Sequence, residues 1–215
     1  WSNYFGDLEL GLTHFSGTSR EPRFQLELVT DALGVPVDGY LIPVYDVIDQ
    51  TGLDAQYFIG DWAWKLEAIS RSGQGDRFSA ATFGFEKTFV GVFGGRSDLG
   101  VVAEYLYDDR GDEAPVIGED DVALGFRYTF NNPADTTALL VWLYDLDSDE
   151  YLMTLEASSR IGAYWKLILE ASIFSNGDAT MDDLPSVLSA FADPESELGL
   201  FQDEDFVKLE LTRYF

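Results

Sequence analysis

Cysteine is absent from the 215 residues, which excludes a disulfide framework and any thiolate metal site. Long apolar runs are missing too: nowhere do about 18 uncharged apolar residues follow one another, the length a membrane-crossing helix needs. Histidine occurs once, at His14, in phase with Leu10 and Leu12 near the end of a strand-like stretch. No motif supplies the partners that a Ser-His-Asp site or a metal site would require. Phosphate loops, dinucleotide fingerprints and nucleophile elbows are absent as well. The chain therefore reads as no enzyme, with neither cofactor nor metal. Basic residues are scarce, 13 Lys and Arg against 39 Asp and Glu, for a formal net charge of −26. Such a chain repels nucleic-acid phosphates and anionic lipid surfaces alike. It opens on Trp1-Ser-Asn-Tyr-Phe5, without Met or a basic leader segment, and reads as a processed or incomplete chain.

Apolar residues make up 46% and aromatics 15%, which excludes an acidic disordered protein. The length suits one domain spanning residues 1–215. Alternation of apolar and polar residues, the signature of strands with two unlike faces, runs through it. The last ten residues show it best: Val207, Leu209, Leu211 and Phe215 share one face, Lys208, Glu210, Thr212 and Tyr214 the other. Comparable strands start at Tyr4, Phe24, Leu53, Trp62, Phe78, Leu99, Val122, Thr136, Tyr151 and Trp165. The facing of the apolar stretch Thr136–Leu146 cannot be read from its pattern. Helical periodicity is confined to Leu184–Phe191.

About eleven or twelve strands of about 9–12 residues have the length needed to cross a bilayer when tilted. Short connections (60–61, 131–135, 161–163) alternate with long ones (31–50, 108–120, 174–204). That alternation predicts an all-β, antiparallel up-and-down transmembrane β-barrel, a meander with short periplasmic turns and long external loops. Counting back from Phe215 puts Trp1 at the external end of an odd number of strands. The expectation is the C-terminal part of a larger barrel; the competing reading is a complete small barrel with one strand miscounted.

The expected lumen face carries Lys65, Glu67, Glu104, Arg127, Glu156, Arg160, Lys166, Glu170, Lys208 and Glu210. The pairs Lys65/Glu67, Glu156/Arg160, Lys166/Glu170 and Lys208/Glu210 suggest a salt-bridge ladder on that face. A soluble sandwich would instead point its charges outward, and periodicity does not separate the two. Aromatics do. Trp62, Trp64, Tyr128 and Trp165 fall at expected periplasmic strand ends, with Phe89, Phe130, Tyr164 and Phe215. Tyr105, Tyr107 and Tyr151 fall at external ends, with Trp142, Tyr144, Phe174 and Phe206. Two belts of amphipathic rings are expected where headgroups meet hydrocarbon. The acidic segments 108–121, 145–150 and 178–205 match no complete calcium-loop spacing and read as solvated loop charge.

Several stretches carry a family resemblance: Gly52-Leu-Asp-Ala-Gln-Tyr57, Trp64-Lys-Leu-Glu67, Leu99 to Asp108, and Val207-Lys-Leu-Glu-Leu-Thr-Arg-Tyr-Phe215. The chain resembles Gram-negative outer-membrane β-barrels, in particular an uncharacterised porin-like family loosely related to alginate-export barrels. The resemblance implies an integral outer-membrane location, with lipid and lipopolysaccharide as surroundings. It also implies the barrel-assembly machinery as a partner that reads Phe215, and a barrel of more strands than this chain supplies. The expected function is a porin-like channel for passive diffusion or export of polar solutes through a charge-lined lumen, weakly preferring cations. The alternatives are a non-conducting barrel serving as structural anchor or envelope-complex partner, and a soluble secreted β-protein. Neither the solute nor the oligomeric state can be read from the sequence.

Overall fold

The computed structural model describes residues 1–111, 114, 118–175 and 204–215. Among the described residues thirteen strands follow in chain order. They are β1 (Ser2–Phe5), β2 (Leu8–Thr18), β3 (Arg23–Thr30), β4 (Pro36–Val44), β5 (Val47–Ile59), β6 (Trp62–Ser72) and β7 (Phe78–Phe89). Then come β8 (Asp98–Asp108), β9 (Asp120–Thr129), β10 (Thr137–Asp145), β11 (Tyr151–Ile161), β12 (Trp165–Ser175) and β13 (Phe206–Arg213). The protein is all-β. Eleven strands form one antiparallel up-and-down sheet in the order β1-β2-β5-β6-β7-β8-β9-β10-β11-β12-β13, while β3 and β4 pair only with each other. The edge strands β1 and β13 do not pair, so the sheet is not closed into a barrel.

The connections 60–61, 90–97, 130–136 and 162–164 lie at one end of the sheet, and two five-residue connections, 73–77 and 146–150, lie at the other. Gly60 and Gly162 start two of them in the left-handed region (φ 58° and 64°), where a side chain would be strained. Because each turn is so short, the register on both sides is fixed, and each strand keeps one set of residues on each face. The stretch without readable facing is settled in this way. Leu140 lies opposite Phe126 and Leu155, which puts Ala138, Leu140, Trp142 and Tyr144 on the apolar face and Leu139, Val141 and Leu143 on the polar one.

Two expectations are corrected. The strand at Phe24–Leu28 is not a member of the sheet, and residues 31–50 are not a loop. Instead β3 and β4 form a ribbon projecting beyond the β2–β5 ladder, which itself starts at Thr18 opposite Val47. The sheet still has eleven strands because the stretch expected as one strand, Tyr4–Phe15, is divided at Gly6-Asp7 into β1 and β2. Pro43, opposite Phe24, made this segment read as loop; proline is tolerated here because both strands of the ribbon are edges. Ser19 and Asp46 continue the backbone pairing at its base, and Arg23 bridges Asp46 at 2.7 Å. The possible helix at Leu184–Phe191 and the acidic stretch 178–203 lie outside the described residues.

Candidate functional site: the polar face of the sheet

Following the register from strand to strand sorts the eleven strands into two faces with little mixing. The apolar face holds Leu10, Leu53, Leu66, Phe83, Ala103, Leu124, Leu155, Leu169 and Leu209 along its middle. Its charged residues stand near the ends of their strands: Asp49 and Asp120 toward the long-loop end, Lys87 and Arg213 toward the short-turn end. Both basic residues lie over aromatic rings. The Lys87 ammonium is 4.6 Å from the Trp62 centroid, and the Arg213 guanidinium is 5.5 Å from Trp165 and 5.0 Å from Phe215. These are cation–π distances, and they let a cationic head lie among rings while its stem stays on apolar surface.

Trp62, Trp64, Tyr128, Trp165, Tyr105, Tyr107 and Tyr151 are on this face. At the short-turn end Trp62 and Trp64 stack at 6.2 Å and Trp64 packs on Phe85 at 5.3 Å; Tyr128 meets Phe130 edge-on at 4.7 Å, and Trp165 starts β12. At the other end stand Tyr105, Tyr107 and Tyr151, with Trp142 and Tyr144 in contact at 5.7 Å. Phe174 and Phe206 are corrections: paired with Leu152 and Ser172, they fall on the polar face and belong to neither belt. Phe215 lies just past β13 and is fully exposed at 104%. His14 is on the apolar face, where its Nδ1 is 3.1 Å from the Thr51 hydroxyl.

The polar face carries the rest. Lys65, Glu67, Glu104, Arg127, Glu156, Arg160, Lys166, Glu170, Lys208 and Glu210 all lie on it. The register adds Glu9, Asp54, Arg71, Glu86, Asp98, Asp108, Asp121 and Asp145, giving twelve acids against six bases. The expected salt-bridge ladder is largely replaced. Lys65 bridges Glu86 at 2.8 Å rather than Glu67, and Lys208 reaches both Glu170 at 3.0 Å and Glu210 at 3.4 Å. Elsewhere the hairpin register sets like against like: Glu156 opposite Glu170, Arg160 opposite Lys166. Residues directly across a ladder interact most strongly, so these are repulsive rungs.

One row is without base. Following direct partners from β2 to β10 gives Gly11, Asp54, Glu67, Thr82, Leu106, Asp121 and Asp145. Its four carboxylates include two directly opposed pairs. Asp54 and Glu67 are exposed and have neither an ion pair nor a hydrogen bond among the described residues. Gly11 leaves Asp54 room: a Cβ there would lie 1.9 Å from the Asp54 Oδ2. Asp145 is capped by the loop that follows it, accepting from the backbone N–H of Asp147 at 2.8 Å and from the Ser148 hydroxyl at 2.5 Å. Asp121 is 1% exposed, and neither of its oxygens has a hydrogen-bonding partner. The backbone N–H groups of Gly118 and Asp120 approach it without reaching good geometry. No three carboxylate or histidine side chains among the described residues stand together as ligands for one metal ion.

Around the row, Asp108 holds Arg110 by a 2.5 Å ion pair, and the guanidinium lies 3.6 Å from the Phe78 centroid. Hydrogen bonding to Asp108 raises the pKa of Arg110, a loop residue, above its already high ordinary value. Asp54 was legible in the sequence as the polar alternate of Leu53 but was not singled out. Asp121 and Asp145 were grouped with the acidic loops because strand ends carry no periodic signal.

No protein-family model, no curated protein sequence and no solved structure matches this chain.

Proposed function

We propose that this sheet is wall from an outer-membrane β-barrel, lipid on its apolar face and water on its polar face, and that the barrel is a porin-like channel for polar solutes. The observation that carries the reading is the separation of faces: charges over the whole height of one, and on the other an uncharged band, with aromatics and its few charges near the strand ends. The height of the band fits. Tyr151 to Ile161 is ten steps of about 3.3 Å along the strand, or about 25 Å of vertical height at a tilt of about 40°, the apolar band of such barrels.

Curvature supports the same reading. Every strand residue that is buried lies on the polar face, including Phe78, Asp108, Asp121, Asp145 and Ser172, and so do the six glycines inside sheet strands. A single sheet buries side chains on its concave side, and glycine permits the close approach that curling needs. Free edges at β1 and β13 are a liability in water and are removed by closure, with each other or with further strands. No catalysis is required. The lone His14 stands on the proposed lipid side, its Nδ1 3.1 Å from the Thr51 hydroxyl. In this reading Phe215, exposed beyond the last strand, would serve as the assembly signal.

A non-conducting anchor has one observation in its favour: Leu139, Val141, Leu143, Leu152 and Ile168 give the β10–β12 part of the polar face an aliphatic character unlike a water-filled pore. Planar-bilayer recording of the full chain, extracted from outer membranes, separates the two. Discrete conductance steps are expected, and persistent silence refutes the channel. Solubility without detergent, with gel migration unchanged by heating, refutes the barrel itself.

A further inference from the structure

We infer that the polar face selects cationic solutes, and that the row Asp54, Glu67, Asp121 and Asp145 is where they bind. The inference rests on the channel reading of the polar face and names the class of solute it takes.

Chain-wide acidity does not by itself locate a binding place, because most of it can be solvated loop charge. The register does. These four carboxylates come from four strands, stand on one row perpendicular to them, and meet no base on that row. Repulsion between directly opposed acids could have been relieved by a lysine or arginine on a neighbouring strand, as Lys208 does for Glu170. Here it is not: Thr82 and Leu106 fill the places between the two acidic pairs.

Asp121 gives the second, independent indication. It is buried to 1% exposure on this face, directly opposite Asp145, and both oxygens lack a hydrogen-bonding partner. A buried charged carboxylate so placed is strongly disfavoured unless it takes up a proton or a counter-charge reaches it. At the other end of the row, Gly11 keeps the space that the Asp54 carboxylate occupies. The row is not a chelating centre, since no three of its groups converge as ligands for one ion. Carboxylates spread along a wall instead make a weak, multi-point station, which suits passage: favourable enough to enter, too dispersed to trap. The solutes it fits are small cations, and above all extended ones with several ammonium groups.

The test uses the full chain folded in detergent micelles, with spermine as probe, and compares wild type with the variant D54N/E67Q/D121N/D145N and with the turn variant D61N. Isothermal titration needs no conductance. Wild type and D61N are expected to bind spermine with an affinity that falls as salt rises, and the row variant about tenfold more weakly. No spermine binding by wild type, or equal binding by the row variant, overturns the inference. In planar bilayers under a potassium chloride gradient, the reversal potential is expected to show cation preference that shrinks in the row variant. Anion preference in an open channel overturns the inference and leaves the channel standing. A silent membrane with intact, row-dependent spermine binding refutes the channel and keeps the cation site.

Discussion

Replacing Asp121 by asparagine should make the protein more stable, against the usual direction of core substitutions. Asp121 and Asp145 face each other on adjacent strands, and such partners have Cβ atoms about 5 Å apart. Two unit charges at about 5 Å repel by about 3 kcal/mol at an effective dielectric of about 20. Asparagine has the same shape, removes that repulsion, and offers an N–H to the Asp145 carboxylate. It also ends the burial of a charge without a hydrogen-bonding partner. A gain of about 2–3 kcal/mol is therefore expected at pH 8. The assay is urea unfolding of the full chain in micelles, followed by tryptophan fluorescence. Repeating it at pH 2.5, where carboxylates are protonated, should erase most of the difference. Spermine should narrow the gap at pH 8 by stabilising wild type more than the variant. A variant no more stable than wild type at pH 8 would refute the account of Asp121 as an uncompensated charge.

Three other outcomes are expected. Leu169→Arg, in the middle of the apolar face, should cost about 2–4 kcal/mol in a lipid bilayer, whereas Glu170→Arg on the adjacent polar position should fold; equal tolerance in vesicle-refolding assays would remove lipid from the apolar side. Gly84→Ala should destabilise by about 1–3 kcal/mol, because its Cβ would stand 2.2 Å from the backbone oxygen of Ala103, which cannot move aside. Gly11→Ala should cost less in the same unfolding assay, since the Asp54 carboxylate that it meets can rotate away. Replacing residues 23–44 by a short turn should leave the sheet intact by circular dichroism and heat-modifiable migration, because β3 and β4 pair only with each other; loss of the folded form would show that the ribbon supports the sheet.

Much was fixed by the chain's own periodicity. Strict alternation in Trp62–Ser72, Tyr151–Ile161 and Phe206–Arg213 decides which side chains share a face, because a strand offers only two. So the all-β meander, the ten charged residues of one face and the seven aromatics of the other could be read from sequence. Where alternation is blurred it could not. Thr137–Asp145 is apolar on both faces, and only its hydrogen-bonded neighbours Phe126 and Leu155 set its orientation. The Phe24–Leu28 segment alternates like a sheet strand, yet whether it pairs in the sheet or with Pro36–Val44 depends on the partner and not on its own residues.

Register was the larger gap. The sequence shows that Glu156, Arg160, Lys166 and Glu170 share a face but not which lies opposite which, and the two-fold symmetry of the hairpin sets acid against acid and base against base. The same holds for the acidic row. Asp54, Glu67, Asp121 and Asp145 are distant in the chain, and two of them stand at strand ends where loop-like composition hides the period. Sequence by itself determined the faces, because side-chain direction is a local property of an extended backbone. Tertiary structure alone decided the row, because charge adjacency across a sheet is set by hydrogen-bond register between strands.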